Sequence, residues 1–382
     1  MAATSVQSNN KLVKYTQEIN REWVRGNAFS PYQGTSLNSI IRIRNELKNG
    51  GEQMNIPLVA RLTGQGVGVG TLVGNEEKID NYGMRVWLDW ARNAVTVNKA
   101  ERQKESADIF GEAKPLLSDW MNELKRDELI AALMALPSES APVNLGSSTG
   151  DRVNGVRYED ATAAQRNTWT SDNSDRVLFG NSTANYSATH ATALGNVDTT
   201  NDKFTSANLA LLKRVAKNAN PKIRPYRTED GREYFVAFAG TNTFRDLKID
   251  LATVNKDARP READGVSKNP LFQDGDQIYD GVIVREVPEI SSFVTNVWTT
   301  LKTAGNTSAR VEPVFLCGQQ AAVMAIGQMA KPTFRKEDDY GFITGAGVEA
   351  AYGIGKMFKK PQAGTKLVQW GVATGFFASA AD

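Results

Sequence analysis

The chain holds one histidine, His190, and one cysteine, Cys317. Nucleophilic catalysis with an imidazole base would have to pass through His190, whose surroundings, NYSATHATALG, contain no nucleophile elbow. Those polar neighbours read as a solvated loop around the histidine. Cys317 stands in VFLCGQQAAVMAIG, where a cysteine serves as a small buried hydrophobe. Zinc sites built from cysteine and histidine need about four ligands, so none can form within this chain, and a single cysteine excludes an internal disulfide. Asp338 and Asp339 are a carboxylate pair of the kind acid–base chemistry uses, yet the charged run RKEDDYG around them reads as an exposed turn.

Glycines 64, 66, 68 and 70 in GQGVGVGTLVGNEEKIDNYG invite comparison with a phosphate-binding loop. The spacing does not fit. G-x-G-x-x-G needs a third glycine at Val69 or Val73, the P-loop needs a Gly-Lys-Ser/Thr that is missing, and both motifs need a helix to follow. The structural reading is a loop tip whose backbone bends or approaches another chain closely. Beyond it, Glu76, Glu77 and Asp80 are candidates for pairing with basic residues of a neighbour, against solvated charge as the simpler reading.

The elements that hold this tip are strands. Met54, Ile56, Leu58, Ala60 and Leu62 alternate with less apolar positions, and Met84, Val86, Leu88 and Trp90 do the same on the return limb, a period near two. Pro57 cannot donate to a ladder, which marks an edge strand. A two-stranded hairpin is marginal in water by itself, so this one is expected to rest on another surface, for which a second copy of the chain is the natural candidate. Behind it, Ser106–Leu136 keeps helical apolar spacing over a length of roughly 45 Å, with a kink expected at Pro115 and a stop at Pro137. Trp120 and Met121 on that pattern read as core packing.

Residues 1–20 read as a mobile arm, with a short helix over Lys11–Val24, and 137–205 as a loop-rich polar insertion. A second globular unit follows: helix Ser206–Asn218, strand Tyr234–Ala239, helix Asn242–Asp250, strands Ile278–Arg285 and Val311–Cys317, an apolar run Ala321–Met329 and a last strand Leu367–Phe377. Without regular β-α-β alternation the fold class is α+β. No internal repeat is visible.

At 382 residues the chain has room for two or three domains, and 41% hydrophobic with 23% charged residues is an ordinary globular composition. No apolar run suffices for a membrane span, and the N-terminal segment lacks the apolar core of a signal peptide, so the protein is expected to stay in the compartment where it is made. Net charge is +2, too small for global attraction to nucleic acid. Residues Lys203–Arg261 nevertheless hold thirteen lysines and arginines against six acids, which reads as a solvated face or charge compensation between subunits, with nucleic-acid contact as the alternative.

Taken in order, the segments AFSPYQGTSLNSII, LVARLTGQGVGVGTLVGNEEKI, LDWARNAVTV and DELIAALMAL resemble the major capsid proteins of tailed phages. The resemblance is nearest to the branch found in the large lytic podoviruses called schitoviruses. DRVLFGN at 175–181, VAFAGTNTFRDLKID at 236–250, NPLFQDGDQIYDGVIVREV at 269–287 and LCGQQAAVMAIG at 316–327 extend it over nearly the whole chain. One departure stands out, Ala239-Gly240 where the family segment has His-Pro.

The resemblance implies the Hong Kong 97-type capsid fold: an N-terminal arm at 1–39, an extended loop hairpin at 40–99 and a peripheral domain at 100–199 with its spine helix at 106–136. An axial domain follows at 200–365, and a strand at 366–382 returns to the peripheral domain. It further implies hexamers and pentamers closing into an icosahedral shell around double-stranded DNA, assembled in a bacterial cytoplasm, without catalytic residues, cofactor or metal. Partners would be the chain itself, a portal protein, packaged DNA touched non-specifically and a decoration protein, with no membrane. Some relatives carry an N-terminal scaffolding domain, and the roughly twenty residues preceding the similarity here imply a separate scaffolding protein. Intersubunit contact is expected at Arg61, Gly64, Gly66, Gly68, Gly70, Glu76, Glu77 and Asp80. The rival readings are an encapsulin-like compartment shell and a nucleic-acid-binding protein using 203–261.

Overall fold

The computed structural model describes residues 22, 24–104, 110–228, 231–257, 276–335, 339–361 and 364–379. Most of the N-terminal arm, all but two residues of the helix expected at 11–24, the head of the long helical pattern at 106–109, the end of the basic stretch and Asp338 lie outside them. The longer elements begin with strands β1 (Ile41–Arg44), β2 (Gln53–Val59), β3 (Asn81–Trp87) and β4 (Asp89–Asn98). Helices α1 (Ala113–Met134) and α2 (Ala163–Asp172), strand β5 (Val177–Phe179) and helices α3 (His190–Gly195) and α4 (Ser206–Asn218) come next. Then follow β6 (Glu233–Ala239), α5 (Thr241–Asp257), β7 (Asp276–Tyr279), β8 (Val282–Glu286) and α6 (Pro288–Asn296). The chain ends with β9 (Val311–Cys317), β10 (Ala322–Arg335), β11 (Ile343–Lys356) and β12 (Val372–Ala378).

Two compact units emerge, one of 1–26, 91–124 and 330–350, the other of 27–90, 125–329 and 351–382. Both are discontinuous in sequence. In the smaller unit, Leu117 and Met121, one turn apart on α1, are buried, Lys114 lies over the Phe334 ring at 5.2 Å, and Lys99 donates its N–H to the Phe342 carbonyl at 2.9 Å.

The larger unit is built on a sheet in the order β7–β8–β6–β9–β12–β5. β9 and β12 are buried along their whole length. Helix α4 begins where the Thr205 side chain accepts from the Asn208 N–H, and its Leu209, Leu212 and Ala216 fall on one face at helical spacing. That face joins Phe235, Leu247, Leu316 and Phe377 in one core cluster. The last strand pairs with β5 of the 137–205 region on one side and with β9 on the other, which makes it an interior strand of this sheet.

Several expectations need correction. α1 has 22 residues and starts at Ala113, so Pro115 lies in the first helical turn, where its missing N–H has no partner to lose, and the kink expected there has no cause. Ile278–Arg285 is two strands, because Asp280 (φ 47°) and Gly281 (φ 70°) form a tight hairpin turn. The loop-rich 137–205 region also carries short packed elements. Thr162 and Gln165 form a capping box that starts α2, and Tyr158, Trp169, Phe179 and Val197 are buried. Gly240 is wedged: a Cβ there would sit 2.5 Å from Ser291 Oγ and 2.9 Å from the buried Glu312 carboxylate.

His190 is buried, which overturns its reading as a solvated residue. Its Nε2 lies 3.0 Å from the Tyr158 hydroxyl and its Nδ1 2.8 Å from Thr170 Oγ1. Since Thr170 donates its own proton to the Arg166 carbonyl, Nδ1 carries the imidazole hydrogen and Tyr158 donates to Nε2. Burial, reinforced by the Arg166 charge, pulls its pKa down to about 3, so the ring is neutral in the fold. The unfolded chain takes up that proton below about pH 6.5, so stability is fully present above that pH and falls towards pH 3. The urea midpoint of the wild type should therefore drop faster than that of His190→Gln between about pH 6.5 and about pH 4. Parallel midpoint curves would refute the assignment.

Candidate functional site

The hairpin β2–β3 pairs Met54 with Val86, Ile56 with Met84 and Leu58 with Tyr82. Its inner face is covered by the chain itself: Met54, Ile56, Leu58, Met84 and Val86 pack with Val323, Ala325, Met357 and Phe358, and Trp370 closes against them. The surface expected from a second copy is thus supplied, at the hairpin base, from within. What has no cover is the loop at 60–80, which contains neither helix nor strand.

That loop is exposed but locally tied. The Ala60 N–H donates to the Asp80 carbonyl at 2.8 Å, prolonging the ladder by one bond. At the neck, Glu77 accepts from the backbone N–H of Thr63 at 2.5 Å and of Gly64 at 2.8 Å. These bonds, Thr63 first and Gly64 second, hold its carboxyl below the usual range. Gly66 adopts φ 76°, which favours a glycine there, while a Cβ on Gly64 would lie 2.7 Å from the same carboxylate, the end of an exposed side chain that can shift aside. Gly68 and Gly70 show neither constraint. Further out, Glu76 accepts from the Gly74 N–H at 2.8 Å and Asn75 from its side chain donates to the Thr71 carbonyl at 3.0 Å.

The acidic residues proposed for a neighbour are therefore partly committed at home. Asp80 holds Lys359 at 2.7 Å, and Glu77 secures the neck. Apolar side chains face solvent instead: Val69 is 109% exposed, Val73 81% and Leu72 67%. Apolar exposure concentrated on one loop marks an interaction surface more than a stray exposed residue would. Beneath the loop lies a cleft of about 370 Å³, bordered by Arg61, Asp80 and Lys359 and also by Lys222, Arg224 and Trp370. Only Arg61 and Asp80 were foreseen; the basic excess at 203–261 contained Lys222 and Arg224 without indicating where they point. Among the described residues no group of His, Cys, Asp and Glu could hold a metal ion, and no helix is long and apolar enough to cross a membrane. Cys317 is buried, with its thiol pKa pushed up by desolvation.

A family profile described as phage capsid protein matches residues 3–374. The chain belongs to the phage capsid protein family. Among solved structures, the capsid asymmetric unit of cyanophage Pam1 is 37% identical, covers 100% of both chains and superposes with a TM-score of 0.85. The capsid of Ralstonia phage GP4 is 18% identical over 100% of this chain and 99% of its own, with a TM-score of 0.69. The head of Helicobacter pylori bacteriophage KHP40 shares the fold at 15% identity, covering 98% and 96%, with a TM-score of 0.64. No curated protein matches. This capsid protein is thus a structural component of the virion, with a mixed helix-and-sheet fold shared with phage capsid structures.

The neck contact has a measurable consequence. Replacing Glu77 by alanine in the capsid protein should leave the melting temperature unchanged within about 2 °C, because the group is exposed. Limited proteolysis within 60–80 should become roughly threefold faster or more, because local opening of the loop is no longer opposed by two backbone hydrogen bonds. An unchanged cleavage rate would show that the neck is held by something else.

Proposed function

We propose that this is the major capsid protein of a tailed phage, self-assembling as hexamers and pentamers into an icosahedral shell around double-stranded DNA, with the loop at 60–80 laid on an adjacent copy. The observation that carries the reading is the apolar, outward-facing loop on a mount packed within the chain. A hairpin whose base is already buried needs no neighbour to fold, so its uncovered tip is available for association. Many copies of a modest contact are sufficient for a closed shell, since closed symmetric assemblies repeat each interface. In this reading, the region around α1 corresponds to the peripheral domain and spine helix of the Hong Kong 97-type fold, and the sheet of the larger unit to the axial domain. Portal, scaffolding and decoration proteins, and packaged DNA touched without sequence preference, are the partners it brings. The narrower affinity with the schitovirus branch rests on the sequence segments alone.

Deleting Gly64–Gly70 should give a soluble, folded protein that forms no closed shells by negative-stain electron microscopy. Particles of normal size and yield from that deletion would overturn the assigned role of the loop.

A further inference from the structure

The cleft under the loop has an unbalanced charge. Arg61, Lys222, Arg224 and Lys359 border it, against the single carboxylate of Asp80, which is taken by Lys359 at 2.7 Å. Among the described residues, no carboxylate forms an ion pair with Arg61, Lys222 or Arg224, and all three are exposed. The floor is apolar, with Pro361, Val368 and the half-buried Trp370. One wall is the loop's own first limb, Val59 to Thr63, so anything seated in the cleft also touches the base of the loop.

We propose that this cleft is a socket for a carboxylate-bearing segment of a second copy of the chain, and that its occupation couples the loop to the subunit contact. The inference deepens the assembly reading above and rests on it. Charge complementarity favours an acidic occupant: three uncompensated cations around an apolar floor suit a peptide carrying both carboxylates and aliphatic groups. The chain carries the acidic chemistry of its own occupant, with 43 Asp and Glu residues against 45 Lys and Arg and a net charge of only +2. Excess basic charge gathered at one place must then be balanced by acidic surface elsewhere on each copy. A nucleic acid would fit the charge but not a floor of proline and valine beside one aromatic ring, since strand binding relies on successive aromatic platforms.

The experiment compares shell formation by the full-length wild type and by Lys222→Glu/Arg224→Glu, scored by sedimentation and electron microscopy. Both substituted residues are exposed and outside the core clusters, so the variant should keep its melting temperature while shell yield falls at least about tenfold, because juxtaposed like charges are strongly penalised at an interface. Lys222→Arg/Arg224→Lys should assemble as the wild type does. Should the glutamates unfold the chain, Lys222→Gln/Arg224→Gln reads the same effect in weaker form, a partial loss of shells. Wild-type shells together with equal shells from the glutamate variant would overturn this inference alone. The same holds if that variant assembles normally and loses only binding to a random double-stranded DNA fragment, which would assign the cleft to nucleic acid. A wild type that forms no shells would overturn the assembly reading and this inference with it.

Discussion

The packing of one face of the β2–β3 ribbon on the chain's own core is the constraint on which the exposed loop at 60–80 depends. Five ribbon side chains, Met54, Ile56, Leu58, Met84 and Val86, are at most 9% exposed. Burial of such side chains contributes about 1.5–3 kcal/mol each, which comfortably exceeds the roughly 3 kcal/mol length-dependent cost of closing a loop the size of 60–80. The ribbon can therefore carry a long irregular tip that contributes nothing to folding. Gly353 shows how close the fit is: a Cβ there would fall 1.9 Å from the Trp87 carbonyl at the end of β3. Any side chain on that glycine would push the ribbon off its support.

Charges buried in the larger unit serve the same end at a cost. Glu128 of α1 accepts from Arg152 at 2.6 Å and from the Tyr352 hydroxyl of β11 at 2.7 Å, while Arg152 also donates to the Trp90 carbonyl. Burial pushes the Glu128 carboxyl up despite those donors. Buried pairs of this kind are weak sources of net stability but costly to break from one side, so they fix position more than they add strength. Lys356 makes the point without a carboxylate: fully buried, it donates to the Leu133 carbonyl at 3.0 Å, and desolvation pulls its pKa down to about 7. Both contacts tie the buried end of α1 to β11, the strand that leads into Met357 and Phe358 beneath the ribbon.

How far the sequence foretold this depends on whether the signal was local. Helix Ser206–Asn218 and strand Val311–Cys317 were legible to the residue, because each has an uninterrupted pattern with clear ends. The glycine-tipped loop was legible as a loop. Its support was not, since Val323, Ala325, Met357 and Phe358 lie some 240 or more residues from Met84 in sequence and no periodicity links them. Residues 137–205 misled because their elements are short and their outward faces polar, although the Thr162–Gln165 capping box was a readable start signal. β11 was missed because glycines 345, 347, 353 and 355 hide a strand that needs the first three for close approach to neighbouring backbone. His190 looked solvated because its partners, Tyr158 and Thr170, are polar and distant in sequence.

The same physics explains why the loop is tied at its neck and free at its tip. Ordering a residue's backbone costs about 1–2 kcal/mol, so a wholly unstructured loop of this length would forfeit much of any contact it made on association. Glu77 removes part of that cost in advance by fixing Thr63 and Gly64, and the turn at Leu72–Glu76 fixes another part. A fully rigid loop would meet the opposite difficulty, because copies in different positions of a shell do not present identical surfaces. Gly68 and Gly70, which neither a positive φ nor a close contact requires, sit between the two tied segments. They leave the apolar residues Val67 and Val69 on a length of backbone that can adjust while both ends stay anchored.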